Sequence, residues 1–133
     1  MSYLIDTDII IYSLKGNTVV QNHFSLNETI PKAISVITYG ELLYGAKKSL
    51  NVDKNLAVVY RIKELFPVFE IGKAVMETFS AVKVSIQKTG NPIDDMDLLI
   101  ASTAMTLNFT LVTNNEKHFS KVKGLKIENW SRE

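Results

Sequence analysis

Acidic side chains recur in this chain where a strand-to-helix turn is legible. Asp6 and Asp8 close the apolar run Tyr3-Leu4-Ile5, and Glu41 lies in the first turns of a helix after Ala33-Ile34-Ser35-Val36. Asp94, Asp95 and Asp97 open a helical segment ahead of Phe109–Thr113, and Asn114-Asn115 follow that run directly. In an open parallel sheet, ligands bind beyond the carboxyl ends of the strands, so these groups can meet at one edge although far apart in sequence. Two carboxylates about 4 Å apart repel by roughly 4 kcal/mol at an effective dielectric near 20. A cluster of three or four is tolerated only with a compensating cation, raised pKa values or both. Oxygen donors without imidazole or thiolate favour a hard ion, Mg²⁺ or Mn²⁺. Such an ion activates water and neutralises charge on a phosphate in flight, which is the chemistry of phosphodiester hydrolysis.

Each acid also has a structural explanation. Thr38-x-x-Glu41 matches a capping box, in which the glutamate reaches back to a free backbone N–H. Asp94-x-x-Asp97 could do the same, and the helix dipole favours acids near an N-terminus. Taken singly, Glu41 and Asp97 are more often caps than catalysts. Asp6 resists that dismissal, because it ends an apolar strand where a charge is normally avoided.

The elements that must position these residues alternate in type. Tyr3-Leu4-Ile5 reads as a buried strand, followed by a helix capped by Thr7 or Asp8 and stopped at Gly16-Asn17. A second strand is expected at Ala33–Val36, and then Tyr39, Leu42, Leu43 and Ala46 take the spacing of one buried helical stripe. Val58, Ile62, Leu65 and Phe66 repeat it, and Pro67 introduces a short strand, Val68–Ile71. Val75, Phe79, Val82 and Ile86 mark another helix, closed by Gly90-Asn91-Pro92, and a further helix spans about Asp95 to Leu107. Phe109–Thr113 and Lys126–Glu128 complete the strands. Strands alternating with helices predict an α/β fold with a parallel sheet covered on both faces.

The 133 residues fit one domain, residues 1–133, large enough to bury a core without staples. With no cysteine, disulfides, thiolate metal sites and a cysteine nucleophile are excluded. The first residues carry Asp6 and no basic region, unlike a secretion signal, and no apolar run reaches a membrane span. A soluble, cytoplasmic protein is the expectation. A formal charge of +1 gives little overall attraction to a polyanion, so nucleic-acid binding needs local clusters such as Lys47-Lys48 or Lys121, Lys123 and Lys126. His23 and His118 are isolated and read as surface or packing residues, and Trp130 and Phe119 as packing for the C-terminal segment. There is no Ser-His-Asp arrangement, P-loop or glycine-rich nucleotide motif.

Three stretches together resemble PIN domains. Tyr3-Leu4-Ile5-Asp6-Thr7-Asp8 is similar to the family's opening strand and first aspartate. Ser35-Val36-Ile37-Thr38-Tyr39-Gly40-Glu41-Leu42-Leu43-Tyr44-Gly45-Ala46 is similar to its second acidic motif, and Asn91 through Ala101, with Asp94-Asp95-Met96-Asp97, to its third. Leu111-Val112-Thr113-Asn114-Asn115 and Glu128-Asn129-Trp130 resemble its C-terminal stretch, so the likeness spans essentially the whole chain. Within the family it lies nearest the VapC toxins of bacterial toxin–antitoxin pairs.

The resemblance implies a three-layer α/β/α sandwich with a mainly parallel central sheet and an acidic pocket that holds Mg²⁺ or Mn²⁺ and cuts RNA. It makes Asp6, Glu41 and Asp97 the core carboxylates, with Asp95 as a supporting catalytic group. Asp6 and Asp97 would hold the metal, Glu41 would help bind it or orient the water, and Asn115 would stand as a fourth, neutral ligand. Hydroxyls of Thr7 or Thr113 would supply hydrogen bonds. Structured RNA, with initiator tRNA the leading candidate, is the implied substrate, a homodimer the implied assembly, and a VapB antitoxin the implied inhibitor. The Val58–Phe66 segment is the expected dimer interface. Two departures stand out: Asn115 occupies a position often acidic in PIN domains, and Asp8 one often asparagine in the toxins. Asp8 either adds charge to the pocket or caps the helix.

Two other readings compete. A HAD-like phosphatase would use Asp6-Thr7-Asp8, with Asp6 attacking phosphorus, but Ile10 stands where that signature has Thr or Val, and Glu41 would have no role. A non-catalytic binding module would use the acids only as caps, since fold alone does not fix function.

Overall fold

The computed structural model describes residues 1–133. Its element order is β1 (Tyr3–Ile5), α1 (Thr7–Leu14), α2 (Thr18–Leu26), β2 (Lys32–Ser35), α3 (Val36–Lys47), α4 (Val52–Leu65) and β3 (Val68–Phe69). Then follow α5 (Lys73–Thr89), α6 (Asp95–Leu107), β4 (Thr110–Val112), α7 (Glu116–Phe119) and β5 (Ile127–Glu128). The strands form one sheet in the order β3-β2-β1-β4-β5, and every pairing is parallel.

Strand side chains alternate between faces, and here both faces are covered, so the strands are mostly apolar, with Lys32, Ser35, Thr110 and Glu128 at their ends. Tyr3, Ile5, Ile34 and Val112 point to one side and pack with Ile9 and Ile10 of α1, Val20 of α2, Leu42 and Ala46 of α3, and Val59 and Ile62 of α4. Leu4, Ala33 and Leu111 point to the other, against Ile100, Ala101 and Ala104 of α6 and Phe119 of α7. Val82 and Ile86 of α5 pack on Leu98 of α6, with Val122 and Ile93. The result is the expected α/β/α sandwich. No helix is long and apolar enough to cross a membrane.

Local expectations fail where a local contact replaces the periodic signal. Helix α2 was not expected, because it buries only Val20 and so shows no apolar stripe; Asn17 starts it by accepting a hydrogen bond from the Val20 N–H at 3.1 Å. Strand β3 stops at Phe69 rather than Ile71. Its only sheet partner, β2, ends at Ser35 opposite Phe69, so nothing remains to pair with Glu70 and Ile71. In α4 the buried positions are Val59 and Ile62, while Leu65 turns to solvent and Phe66 leaves the helix in extended conformation.

The chain runs from β1 outward to β2 and β3, then crosses to β4 and β5 on the other side of β1. Strand order therefore reverses between β1 and β4, and the carboxyl ends of those two strands flank the crevice in which open α/β sheets bind ligands.

Candidate active site

Register across β1 and β4 pairs Ile5 with Val112, which sets Asp6 beside Thr113 one residue beyond the strands. The Asp6 N–H donates to the Val112 carbonyl at 2.8 Å. The Asp6 carboxylate is 6% exposed and held by two donors. The Thr7 N–H gives 2.8 Å to Oδ1, and the fully buried Thr113 hydroxyl gives 2.7 Å to Oδ2. Asp6 is thus the N-cap of α1, a role expected of Thr7 or Asp8. The cap places the carboxylate at the positive end of the helix but does not offset its burial. Loss of water, followed by the charge of Asp8 and more weakly that of Asp97, pushes the Asp6 carboxyl up to about 7, against the pull of the Thr113 and Thr7 hydrogen bonds.

Asp8, whose role the residues left open, joins this cluster. Its Oδ2 accepts the Asn114 N–H at 3.1 Å, while Oδ1 is buried with no hydrogen-bond partner. Burial raises its pKa, and Asp97 and Glu41 raise it further against the Asn114 and Ile9 N–H groups. Asp97 sits in the first turn of α6, half-buried. Its pKa is raised by burial first, then by Asp94 and Glu41, with His118 pulling the other way.

Glu41 proves not to be a capping residue. Helix α3 starts one turn earlier than the Thr38-x-x-Glu41 pattern requires, with Ser35 as its N-cap accepting from the Thr38 N–H at 3.1 Å. Glu41 therefore lies inside the helix, where its Oε1 accepts the Thr7 hydroxyl at 2.6 Å. The Thr7 hydroxyl also lies 3.0 Å from the buried Thr38 hydroxyl, which ties β1–α1 to α3. Asp94 caps α6 by accepting from the Met96 N–H, leaving Asp97 free of that duty.

Of two further expected site residues, Asp95 is engaged elsewhere and Asn115 is held through its nitrogens. Asp95, one residue from the cap, faces α5 rather than β1, and its carboxylate pairs with Lys83 at 3.0 Å. It is not among the charges that raise Asp6, Asp8 or Asp97. The Asn115 side-chain amide lies 3.2 Å from His118 Nδ1, and its backbone N–H donates to Thr113 Oγ1 at 2.9 Å. His118, read from sequence as isolated, stands at the rim of the cluster; nothing in its sequence neighbourhood signalled this, because Asp97 is brought to it by the fold. Trp130 and Phe119 pack as expected, Trp130 against Tyr3 and Phe24 with its Nε1–H on Glu128.

The cluster suits a hard cation by its chemistry. Its donors are all carboxylate oxygens, three of its acids resist ionisation through burial and mutual repulsion, and Asp8 Oδ1 is a buried acceptor with no donor. As the side chains stand, no three His, Asp or Glu groups form a ready-made ligand set. Closure on an ion therefore requires rotamer changes, which Glu41, exposed and held by one hydroxyl, can make. The Thr7–Glu41 hydrogen bond brings Glu41 beside Asp6, and the phosphatase reading gives Glu41 no role.

Comparison with known proteins agrees with this geometry. A sequence model of the PIN domain matches residues 3–125. The chain is 32% identical over 132 residues to the tRNA(fMet)-specific endonuclease VapC of Shigella flexneri, covering 98% of this chain and 99% of that one. It is 33% identical over 136 residues to ribonuclease VapC2 of Rickettsia felis, covering 99% and 100%. Among solved structures, VapBC2 from Rickettsia felis bound to a promoter DNA fragment superposes with a TM-score of 0.91 at 31% identity, covering 98% of this chain and 99% of that one. DNA-bound VapBC from Salmonella typhimurium gives 0.90 at 30% identity, with 98% of each covered. With sheet order, acid cluster and full-length similarity in agreement, the chain belongs to the PIN-domain family.

Proposed function

We propose that this chain is a divalent-metal-dependent endoribonuclease, the toxin of a VapBC-type pair, that cuts structured RNA and is silenced by a VapB-type antitoxin. The observation that carries this reading is the meeting of Asp6, Asp8, Glu41 and Asp97 at the β1/β4 crevice, in a fold shared with VapC ribonucleases along its whole length. Initiator tRNA is the proposed substrate, following the relative named for it, and Mg²⁺ or Mn²⁺ the proposed ion.

Asp6 and Asp97 would hold the ion, with Glu41 completing the set or orienting the attacking water. The bound ion supplies an acidified water and a counter-charge to the phosphate. Thr113 fixes the Asp6 carboxylate in place, and Thr7 does the same for Glu41. Asp8 adds negative charge that strengthens cation capture. Asp95 belongs to a surface ion pair with Lys83, while Asn115, whose Nδ2 meets His118, would offer its Oδ1 as the fourth, neutral ligand.

A largely apolar groove of about 560 Å³ runs between α1, α3 and α4, lined by Ile11, Leu14, Leu42, Ala46 and Val59, and reaches Glu41. An antitoxin segment seated there would cover a catalytic acid, which is the proposed route of inhibition. The proposed domain runs through residues 1–133, because Trp130, beyond the family match, packs into the core on Tyr3. A homodimer is proposed, with exposed Leu65 and Tyr60 of α4 as its first candidate contacts.

The test compares wild type with Asp6→Asn and Asp97→Asn on total tRNA, in Mg²⁺, in Mn²⁺ and in excess EDTA. Metal-dependent cleavage lost in both variants supports the reading. Cleavage that survives in EDTA, or in Asp6→Asn with metal, refutes it.

A further inference from the structure

His118 lies in α7, which the Thr113–Asn115 turn links to the acid cluster. The connection is continuous: Thr113 Oγ1 donates to Asp6 Oδ2 at 2.7 Å and accepts the Asn115 N–H at 2.9 Å, and the Asn115 side-chain amide reaches His118 Nδ1 at 3.2 Å. Asn115 Nδ2 is a donor, so Nδ1 accepts and the ring proton of the neutral imidazole resides on Nε2. No hydrogen bond within the chain engages Nε2, and the residue is exposed. His118 is also a near neighbour of Asp97. A pocket of carboxylates repels an incoming phosphodiester, so a fixed donor at the rim offsets that repulsion where the strand enters.

We infer that His118 is a substrate-binding residue whose Nε2–H donates to a non-bridging phosphate oxygen of the RNA strand at the mouth of the acid cluster, with Asn115 fixing its ring. This rests on the ribonuclease reading above. The role differs from that of the carboxylates, because it concerns binding rather than activation of water.

The experiment measures steady-state tRNA cleavage by wild type, His118→Ala, His118→Gln and Asn115→Ala across RNA and Mg²⁺ concentrations, with thermal midpoints recorded alongside. A hydrogen bond to a charged group, when lost, weakens binding by about tenfold or more. The expected result for His118→Ala is therefore a KM for RNA raised about tenfold, with kcat and thermal midpoint little changed. Glutamine retains a terminal N–H donor at similar reach, so His118→Gln should recover most of the loss, and Asn115→Ala should show a smaller rise. An unchanged KM in His118→Ala, with wild type active, overturns the assignment and leaves the nuclease intact. A shift in the Mg²⁺ requirement instead of the RNA KM places His118 at the ion and overturns it too. If wild type does not cut RNA at all, the ribonuclease reading falls and this inference falls with it.

Discussion

Asp6 makes folding and cation binding compete for one proton, and the consequence can be measured without any substrate. Its carboxyl titrates near 3.8 in the unfolded chain and at about 7 in the folded one. Because the folded value is raised, the stabilising form is the protonated one. Stability is fully present below about pH 4 and is lost as pH rises through 7. Roughly three pKa units at about 1.4 kcal/mol each amount to a loss of about 4 kcal/mol in metal-free protein. Asp8 and Asp97 are raised as well and act in the same direction. Asparagine at position 6 keeps an oxygen for the Thr7 N–H and abolishes the titration, while its amide leaves the Thr113 hydroxyl without an acceptor, at a cost of about 1 kcal/mol. In EDTA, urea unfolding at pH 4.5, 6 and 8 should show Asp6→Asn about equal to wild type at the lowest pH. At pH 8 it should be more stable by about 3 kcal/mol. Saturating Mg²⁺ at pH 8 should narrow that gap by stabilising wild type and not the variant, by about 2.7 kcal/mol at a hundred times the Kd. A difference that stays flat with pH, or that shrinks as pH rises, would refute the argument from burial and repulsion.

Other outcomes follow from the same geometry. Asp95→Asn should change stability by less than about 1 kcal/mol and leave tRNA cleavage nearly intact, because its Lys83 pair is solvent-exposed, whereas Asp97→Asn should abolish cleavage. Thr113→Val, which removes the buried donor to Asp6, should cost about 1–3 kcal/mol in urea unfolding and lower kcat. A Cβ at Gly45 would meet nothing within 4 Å, and Gly45 lines the apolar groove. Gly45→Phe should therefore fold, retain ribonuclease activity and resist antitoxin inhibition, as read by titrating antitoxin into the cleavage assay. Trp130→Ala should destabilise the fold by about 3–5 kcal/mol in the same urea assay, because the ring is enclosed by Tyr3, Phe24 and His23.

The residues alone determined the α/β class and most of the sheet, because strands buried on both faces carry short unbroken apolar runs that stand out against the periodic helices between them. They also placed Asp6, Asp8, Glu41, Asp94, Asp95 and Asp97 at strand ends or helix starts, and the resemblance to PIN domains picked Asp6, Glu41 and Asp97 from among them. Helix α2 escaped because it buries one side chain, and β3 was overrun because its length is set by where β2 ends. Only the tertiary structure decided which acids share one environment. Asp8 joins the cluster through the Asn114 N–H and its own burial, while Asp95, two residues from Asp97, points to Lys83. The 100° step between helical residues separates such neighbours, and no spacing rule says which of them faces the sheet edge. Glu41 was released from its capping role by Ser35, a choice made by where the strand stops. His118 reached the rim through the Thr113–Asn115 turn, a route of hydrogen bonds rather than of sequence pattern. Residue types thus set what chemistry was available, and packing against the β1/β4 edge determined which side chains could perform it.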